Sequence, residues 1–151
     1  MSQNLGLFAH LAGVIVWVGG MALLYLCLRP ASLALPPAQR LPLWVGVLSR
    51  FFPLVWTSIA LIVVSGFGKL GHVGFASAPV AWHVMMATGL VMIAVFASIW
   101  YGPWPKLRRA VADGDWAAGA VALNRIRQRV AFNLCLGVFT AAVATLGLAL
   151  L

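Results

Sequence analysis

The sequence predicts an all-α integral membrane protein, a bundle of four spanning helices that takes up residues 1–151 as one transmembrane domain. Of its 151 residues 64% are hydrophobic and 8% charged, whereas a soluble domain is about 45–50% apolar and about a quarter charged. The mean hydropathy is +1.04. Because one span needs roughly 20 apolar residues, four spans leave little room for anything else. A soluble enzyme, a disordered tail and a disulfide scaffold are excluded.

Four apolar runs mark the spans, at about residues 5–28, 44–67, 80–101 and 130–151. Arg29-Pro30 ends the first run and Gly102-Pro103 ends the third, since proline rarely continues a helix.

Proline, glycine and aspartate mark the three loops. Pro42 lies in the first loop and residues 69–79 form the second. In the third loop, residues 113–115 (Asp-Gly-Asp) predict a turn. Asp115 then N-caps a helix that runs through the basic residues 124–129 into the fourth span.

The basic residues predict the orientation, because cytoplasmic loops collect Lys and Arg. Lys69 alone lies in the second loop. The other nine basic residues flank the first and third loops: Arg29, Arg40, Arg50, Lys106, Arg108, Arg109, Arg125, Arg127 and Arg129. Both termini and the second loop are therefore expected on the periplasmic side of a bacterial inner membrane. The net charge of +8 is explained by topology and lipid contact, so no nucleic-acid partner is expected.

Little carboxylate or thiol chemistry is available to this chain. Asp113 and Asp115 are its only acidic residues and both fall in a loop, which excludes a proton relay or metal site built on intramembrane carboxylates. Cys27 and Cys135 have no CxxC spacing. Any chemistry must come from imidazole, thioether or a bound cofactor.

The predicted orientation brings all three histidines to one membrane face. His10 lies near the outer end of the first span, His83 near the outer end of the third, and His72 in the outer loop. Ionisable groups inside a membrane are costly and tend to be functional. His10 and His83 are the first candidates for metal ligands, and His72 is the reserve candidate.

Two cofactors fit this arrangement. Haem b would take two neutral imidazoles as axial ligands on facing helices, with Trp17 as the floor of its pocket. Gly13 and Gly20, seven residues apart, would admit the flat ring, although small residues also pack membrane helices closely. Copper instead prefers imidazole together with soft thioethers, and Met85 and Met86 follow His83 directly.

Short motifs resemble a known family. The run from His10 to Gly20 (HLAGVIVWVGG), followed by Leu28-Arg29-Pro30, resembles the first helix of the copper resistance protein D (CopD) family. Arg50-Phe51-Phe52 and Ser65-Gly66 resemble its second helix. Residues 81–85 (AWHVM) are similar to the start of a helix in the related HemJ-type protoporphyrinogen oxidases.

The resemblance implies a four-helix membrane bundle linked to copper handling. From the HemJ-type relatives it implies haem b held by His10, and a lysine where this chain has Met85. Methionine cannot carry a charge, so the resemblance disfavours porphyrinogen oxidation.

The leading hypothesis is a haem b electron-transfer protein and candidate oxidoreductase, with His10 and His83 as axial ligands and a quinone or periplasmic redox partner. A copper transport or copper-handling protein using His10, His83, Met85 and Met86 is the alternative. A HemJ-like oxidase is third.

Overall fold

The computed structural model describes residues 2–147, which form five helices joined by short turns. The helices are α1 (residues 2–32), α2 (Pro37–Val73), α3 (Val80–Tyr101), α4 (Pro103–Ala112) and α5 (Trp116–Leu146). Four stretches are long and apolar enough to cross a membrane: Asn4–Ser32, Pro37–Val73, Val80–Ala112 and Trp116–Leu146. The prediction of an all-helical chain with four helices that could cross a membrane is confirmed. The side of the membrane on which the termini lie stays a prediction.

Helix α1 is longer than predicted and is not uniformly α-helical. Two segments, Ile15–Gly19 and Leu23–Leu28, are π-helical and alternate with α-helical turns. The expected end at Arg29-Pro30 was wrong, because Pro30 lies in the first turn of a new α-helical segment, Arg29–Ser32. Proline is tolerated there since the first-turn N–H groups have no partner within that segment.

Helix α2 begins earlier and ends later than its apolar run. Pro37 occupies its first turn, and Pro42 lies inside the helix instead of in a loop. At the other end, the helix stops at Gly74, which has a positive φ of 86° and donates its N–H to the carbonyl of Leu70 (2.9 Å). The predicted second loop is therefore shorter, and His72 lies on the last turn of α2.

The second half of the chain follows the prediction closely. The third span, Val80–Tyr101, has the expected bounds. Asp115 caps α5 as predicted, since its carboxylate accepts the N–H of Ala118 (2.9 Å). Helix α5 then runs without a break through the basic stretch into the fourth span. The predicted end at Leu151 falls outside the described residues.

An aromatic cluster joins the helices at the centre of the bundle. Helix α1 packs along α2, while α5 packs along both α3 and α4. Phe52 of α2 is 1% exposed and makes edge-on contacts with three rings of α3 and α4. Its ring centroid lies 5.4 Å from Phe96, 6.1 Å from Trp100 and 5.0 Å from Trp104. Such edge-on aromatic pairs add to the energy of packing.

A row of hydrogen bonds joins α3 to α5 along their length. The bonds run from Arg129 Nη1 to the Ser98 carbonyl (2.7 Å), from Asn133 Nδ2 to the Met92 carbonyl (3.0 Å), and from Thr140 Oγ1 to Thr88 Oγ1 (2.8 Å). Lipid is as apolar as the helix surfaces, so interhelical hydrogen bonds and close packing hold membrane helices together.

The end of the bundle that carries the histidines has few buried side chains. No residue is fully buried within 4–12, 60–73 or 80–91, which cover the ends of α1, α2 and α3 at this face. The buried core instead surrounds the aromatic cluster. Most side chains at the histidine end of the described structure therefore face outward, toward lipid or solvent.

Phe52→Ala is expected to destabilise the bundle by about 3 kcal/mol, because the cavity removes contacts to three aromatic rings. Leu54→Ala, a change two residues away at a side chain that is 52% exposed, is the matched control and should cost far less. Thermal unfolding of both variants in detergent measures the difference. Equal losses in the two variants would show that the aromatic cluster is not the centre of stability.

Candidate functional site

His10 is held in a defined orientation by the second helix. Its side chain is half-buried, and its Nδ1 lies 3.0 Å from the hydroxyl oxygen of Ser65 on α2. The Ser65 hydroxyl donates its own proton to the carbonyl of Leu61 (2.5 Å). Because that proton is already used, Ser65 Oγ accepts a hydrogen bond from Nδ1–H of His10. The lone pair of the imidazole is then on Nε2, the atom that can bind a metal.

The imidazole also rests on the backbone of α2. A Cβ placed on Gly66 would lie 3.7 Å from Cε1 of His10, an ordinary van der Waals distance. Ser65 and Gly66 thus form the surface of α2 that the His10 ring contacts. The sequence singled out Ser65-Gly66 only through a family resemblance, and nothing in the sequence tied the pair to His10. The pairing depends on how α1 and α2 align, which no local pattern encodes.

His83 has a local hydrogen bond. It lies in the first turn of α3, and its Nδ1 donates to the carbonyl of Pro79 (3.3 Å). Its side chain is half-buried, as are those of Met85 and Met86. His83 and Met86 are three residues apart on a helix, so they share a face. This end of α3 carries one imidazole and two thioethers.

His72 is exposed on the last turn of α2. It lies two turns beyond Ser65, a rise of about 10 Å along the helix. Close by, the Lys69 ammonium lies 5.2 Å from the ring centroid of Trp82, a cation–π contact that ties the end of α2 to the start of α3.

The structure places all three histidines at one end of the bundle but does not bring them to one point. Within residues 2–147, no group of three or more His, Cys, Asp or Glu side chains is arranged to hold a metal ion. A single imidazole with thioether ligands is a different kind of site, and the histidine end has both.

The predicted haem pocket beside α1 is filled by protein. A Cβ on Gly13 would lie 3.0 Å from Ile62 and from the Ser58 carbonyl, and a Cβ on Gly20 would collide with the ring of Phe51. Both glycines therefore allow α1 and α2 to approach closely. Trp17 is 3% exposed and belongs to the aromatic core, so these residues do not fit the flat ring that the sequence suggested.

Thioethers continue from the histidine end into the core. Met21 and Met92 are buried, at 2% and 4% exposure. A Cβ on Gly137 would lie 3.2 Å from Cε of Met92 and 3.0 Å from the side chain of Val18, so α1, α3 and α5 meet at this glycine. Thioethers are thus present both at the histidine end and deep in the bundle.

The sequence profile of the copper resistance protein D family matches residues 45–146. That range is more than half of the chain and runs from the third turn of α2 to the end of α5. The chain belongs to the copper resistance protein D family. No curated protein sequence and no solved structure matches the chain.

Family membership makes this a multi-pass membrane protein related to copper resistance. The matched range contains Arg50-Phe51-Phe52 and Ser65-Gly66, two of the motifs that suggested the family. The run from His10 to Gly20 precedes it, so the CopD match rests on α2 to α5.

Ser65→Ala is expected to let His10 populate both neutral tautomers, because the acceptor for Nδ1–H is lost. Nitrogen-15 NMR of ring-labelled protein should show a protonated Nδ1 in the unmodified chain and a mixture of tautomers in the variant. Ser49→Ala removes a similar exposed serine that bonds only to its own helix (Gly46 carbonyl, 2.9 Å) and should leave the His10 signals unchanged. Identical His10 spectra in all three proteins would contradict the Ser65 contact.

Proposed function

We propose that this protein handles copper within the membrane, receiving the ion at the histidine end and passing it into the bundle. The match to the copper resistance protein D family over residues 45–146 carries this proposal. The matched helices bear Ser65, which orients His10, and also His83 and Met85. His10 itself lies on α1, which α2 packs against along its length.

The available side chains favour a soft ion. Copper, above all Cu(I), binds imidazole nitrogen and thioether sulfur, whereas Mg²⁺ and Ca²⁺ prefer carboxylate and carbonyl oxygen. The only carboxylates of the chain, Asp113 and Asp115, lie in the turn between α4 and α5. A chain with five His and Met side chains near one end and no acidic residue there discriminates against hard cations.

The hydrogen bond from His10 to Ser65 prepares the site for the incoming ion. With Nδ1–H bound to Ser65, the neutral ring presents the lone pair of Nε2, so binding requires no loss of a proton from that atom. Transport also requires that the ion can leave, and a succession of weak ligands meets this condition better than one closed site. The thioethers of Met21 and Met92 are candidates for later ligands in the core.

Haem b is the second candidate, with His10 and His83 as axial ligands. The observation in its favour is the low burial of the histidine end, where no residue of 4–12 or 80–91 is fully buried. The filled space around Gly13, Gly20 and Trp17 counts against it. Only the haem b function would require a quinone or a periplasmic redox partner. A HemJ-like oxidase stays disfavoured by Met85.

Purified protein is expected to bind Cu(I) and to show no Soret band. The experiment should use the Cys27→Ser, Cys135→Ser background, because both thiols are free and exposed and would bind Cu(I) on their own. In a competition titration His10→Ala should weaken Cu(I) binding at least about tenfold, about 1.4 kcal/mol. His72→Ala is the matched control and should change the affinity less than about twofold. A Soret band that His10→Ala abolishes would instead establish haem.

The orientation predicted by the basic residues is testable in bacterial spheroplasts. In the cysteine-free background, Ser77→Cys places a thiol in the turn between α2 and α3, and Asp113→Cys places one in the turn between α4 and α5. A membrane-impermeant maleimide should label the first variant in intact spheroplasts and the second only after permeabilisation. The reverse pattern would put the histidine end in the cytoplasm.

A further inference from the structure

Three arginines from three different helices gather at the end of the bundle opposite the histidines. Arg29 lies in the last segment of α1, Arg40 lies in the first turns of α2, and Arg127 lies on α5. Arg29 and Arg127 line the same small cavity, together with Tyr25 and Trp44. Arg40 precedes Trp44 by one turn of α2 and therefore lies on the same face of that helix as this cavity wall. We call Arg29, Arg40 and Arg127 the arginine cluster.

A chain of buried hydrogen bonds fixes the position of the cluster. The indole N–H of Trp44 donates to the hydroxyl oxygen of Ser32 (3.1 Å), and the Ser32 hydroxyl donates to the carbonyl of Arg29 (2.9 Å). Both Trp44 and Ser32 are 3% exposed. The Arg29 guanidinium in turn lies 4.9 Å from the ring centroid of Tyr25. The end of α1 is thereby tied to α2, and Arg29 is placed before any ligand binds.

The cluster has cations but no counter-ion. The two acidic residues of the chain, Asp113 and Asp115, lie along a separate groove with the basic residues Lys106, Arg109 and Arg125. In the described structure the Nε atom of Arg127 is buried without a hydrogen-bond partner. A buried donor without an acceptor is costly, and guanidinium groups held near one another repel. Both conditions are relieved by an anion with several acceptor oxygens.

We propose that Arg29, Arg40 and Arg127 form a binding site for a phosphate group. Guanidinium forks match phosphate oxygens in charge and geometry and bind them through pairs of hydrogen bonds. The cavity is about 10 Å³ in volume, room for about one water molecule. A phosphate therefore binds at the mouth of the cavity, and a small turn of the Arg127 guanidinium brings Nε to one of its oxygens.

The phosphate has two possible sources, an anionic lipid headgroup and a free phosphate in solution. The predicted topology places the cluster at the cytoplasmic face, where anionic headgroups attract basic residues. In either case one ligand bridges α1, α2 and α5. Binding should therefore stabilise the attachment of α1 to the rest of the bundle.

The test uses the full chain, delipidated in an uncharged detergent. One arm measures retention of phosphatidylglycerol against phosphatidylcholine by native mass spectrometry, and the other titrates inorganic phosphate by calorimetry. Arg127→Gln should weaken binding about tenfold. Arg125→Gln, which removes an exposed charge two residues away on the same helix, is the control and should change it less than about twofold.

The outcomes separate the two sources and can reject the site. Selective retention of phosphatidylglycerol with no phosphate binding identifies a lipid headgroup, whereas binding of inorganic phosphate identifies a soluble ligand. Equal losses in Arg127→Gln and Arg125→Gln would overturn the proposal, as would binding of neither probe to the unmodified chain. If Arg127→Gln fails to fold, Arg40→Gln provides the same comparison, with the same expected tenfold loss.

Discussion

Two carboxylates accompany ten basic residues in this chain, so most cations must find partners other than acids. The structure supplies backbone carbonyls and aromatic rings in their place. The pairs are Arg129 with the Ser98 carbonyl, Arg50 with the Gly46 carbonyl, Arg29 over Tyr25, Lys69 over Trp82 and Arg108 over Trp104. Such partners remain neutral at any pH that cells encounter, and they occur where aromatic residues collect near membrane surfaces. The scarcity of acidic residues thus determines which groups the basic side chains contact at both ends of the bundle.

The two ends of the bundle differ in chemistry and in packing. One end has imidazoles and thioethers on helices with few buried side chains, and the other has guanidiniums on helices tied together by buried hydrogen bonds. The aromatic cluster around Phe52 lies between them and forms the buried centre. Side-chain chemistry and burial thus both change along the axis of the bundle.

Hydropathy and local turn chemistry predicted most of the fold. The spans followed from runs of apolar residues, and the Asp115 cap followed from an Asp-Gly-Asp turn, because both signals are local. Pro42 was predicted to lie in a loop, but it lies inside α2. The helix continues past it although proline has no N–H to donate to a backbone carbonyl. The candidate site was harder to predict. A spacing of seven residues correctly grouped Gly13 with Gly20 on one face, but it could not show that α2 fills the space beside them.

The two π-helical segments of α1 set the rotational phase between its ends. Each wider turn shifts the hydrogen-bond register, so the residues beyond it point in a different direction than an unbroken α-helix would give. His10 precedes both segments and Arg29 follows them. One continuous helix, α1, can therefore direct His10 toward Ser65 at one end of the bundle and Arg29 toward the arginine cluster at the other end. Deleting one residue from either segment would change the direction of Arg29 relative to His10. The helix would still be long enough to cross a bilayer.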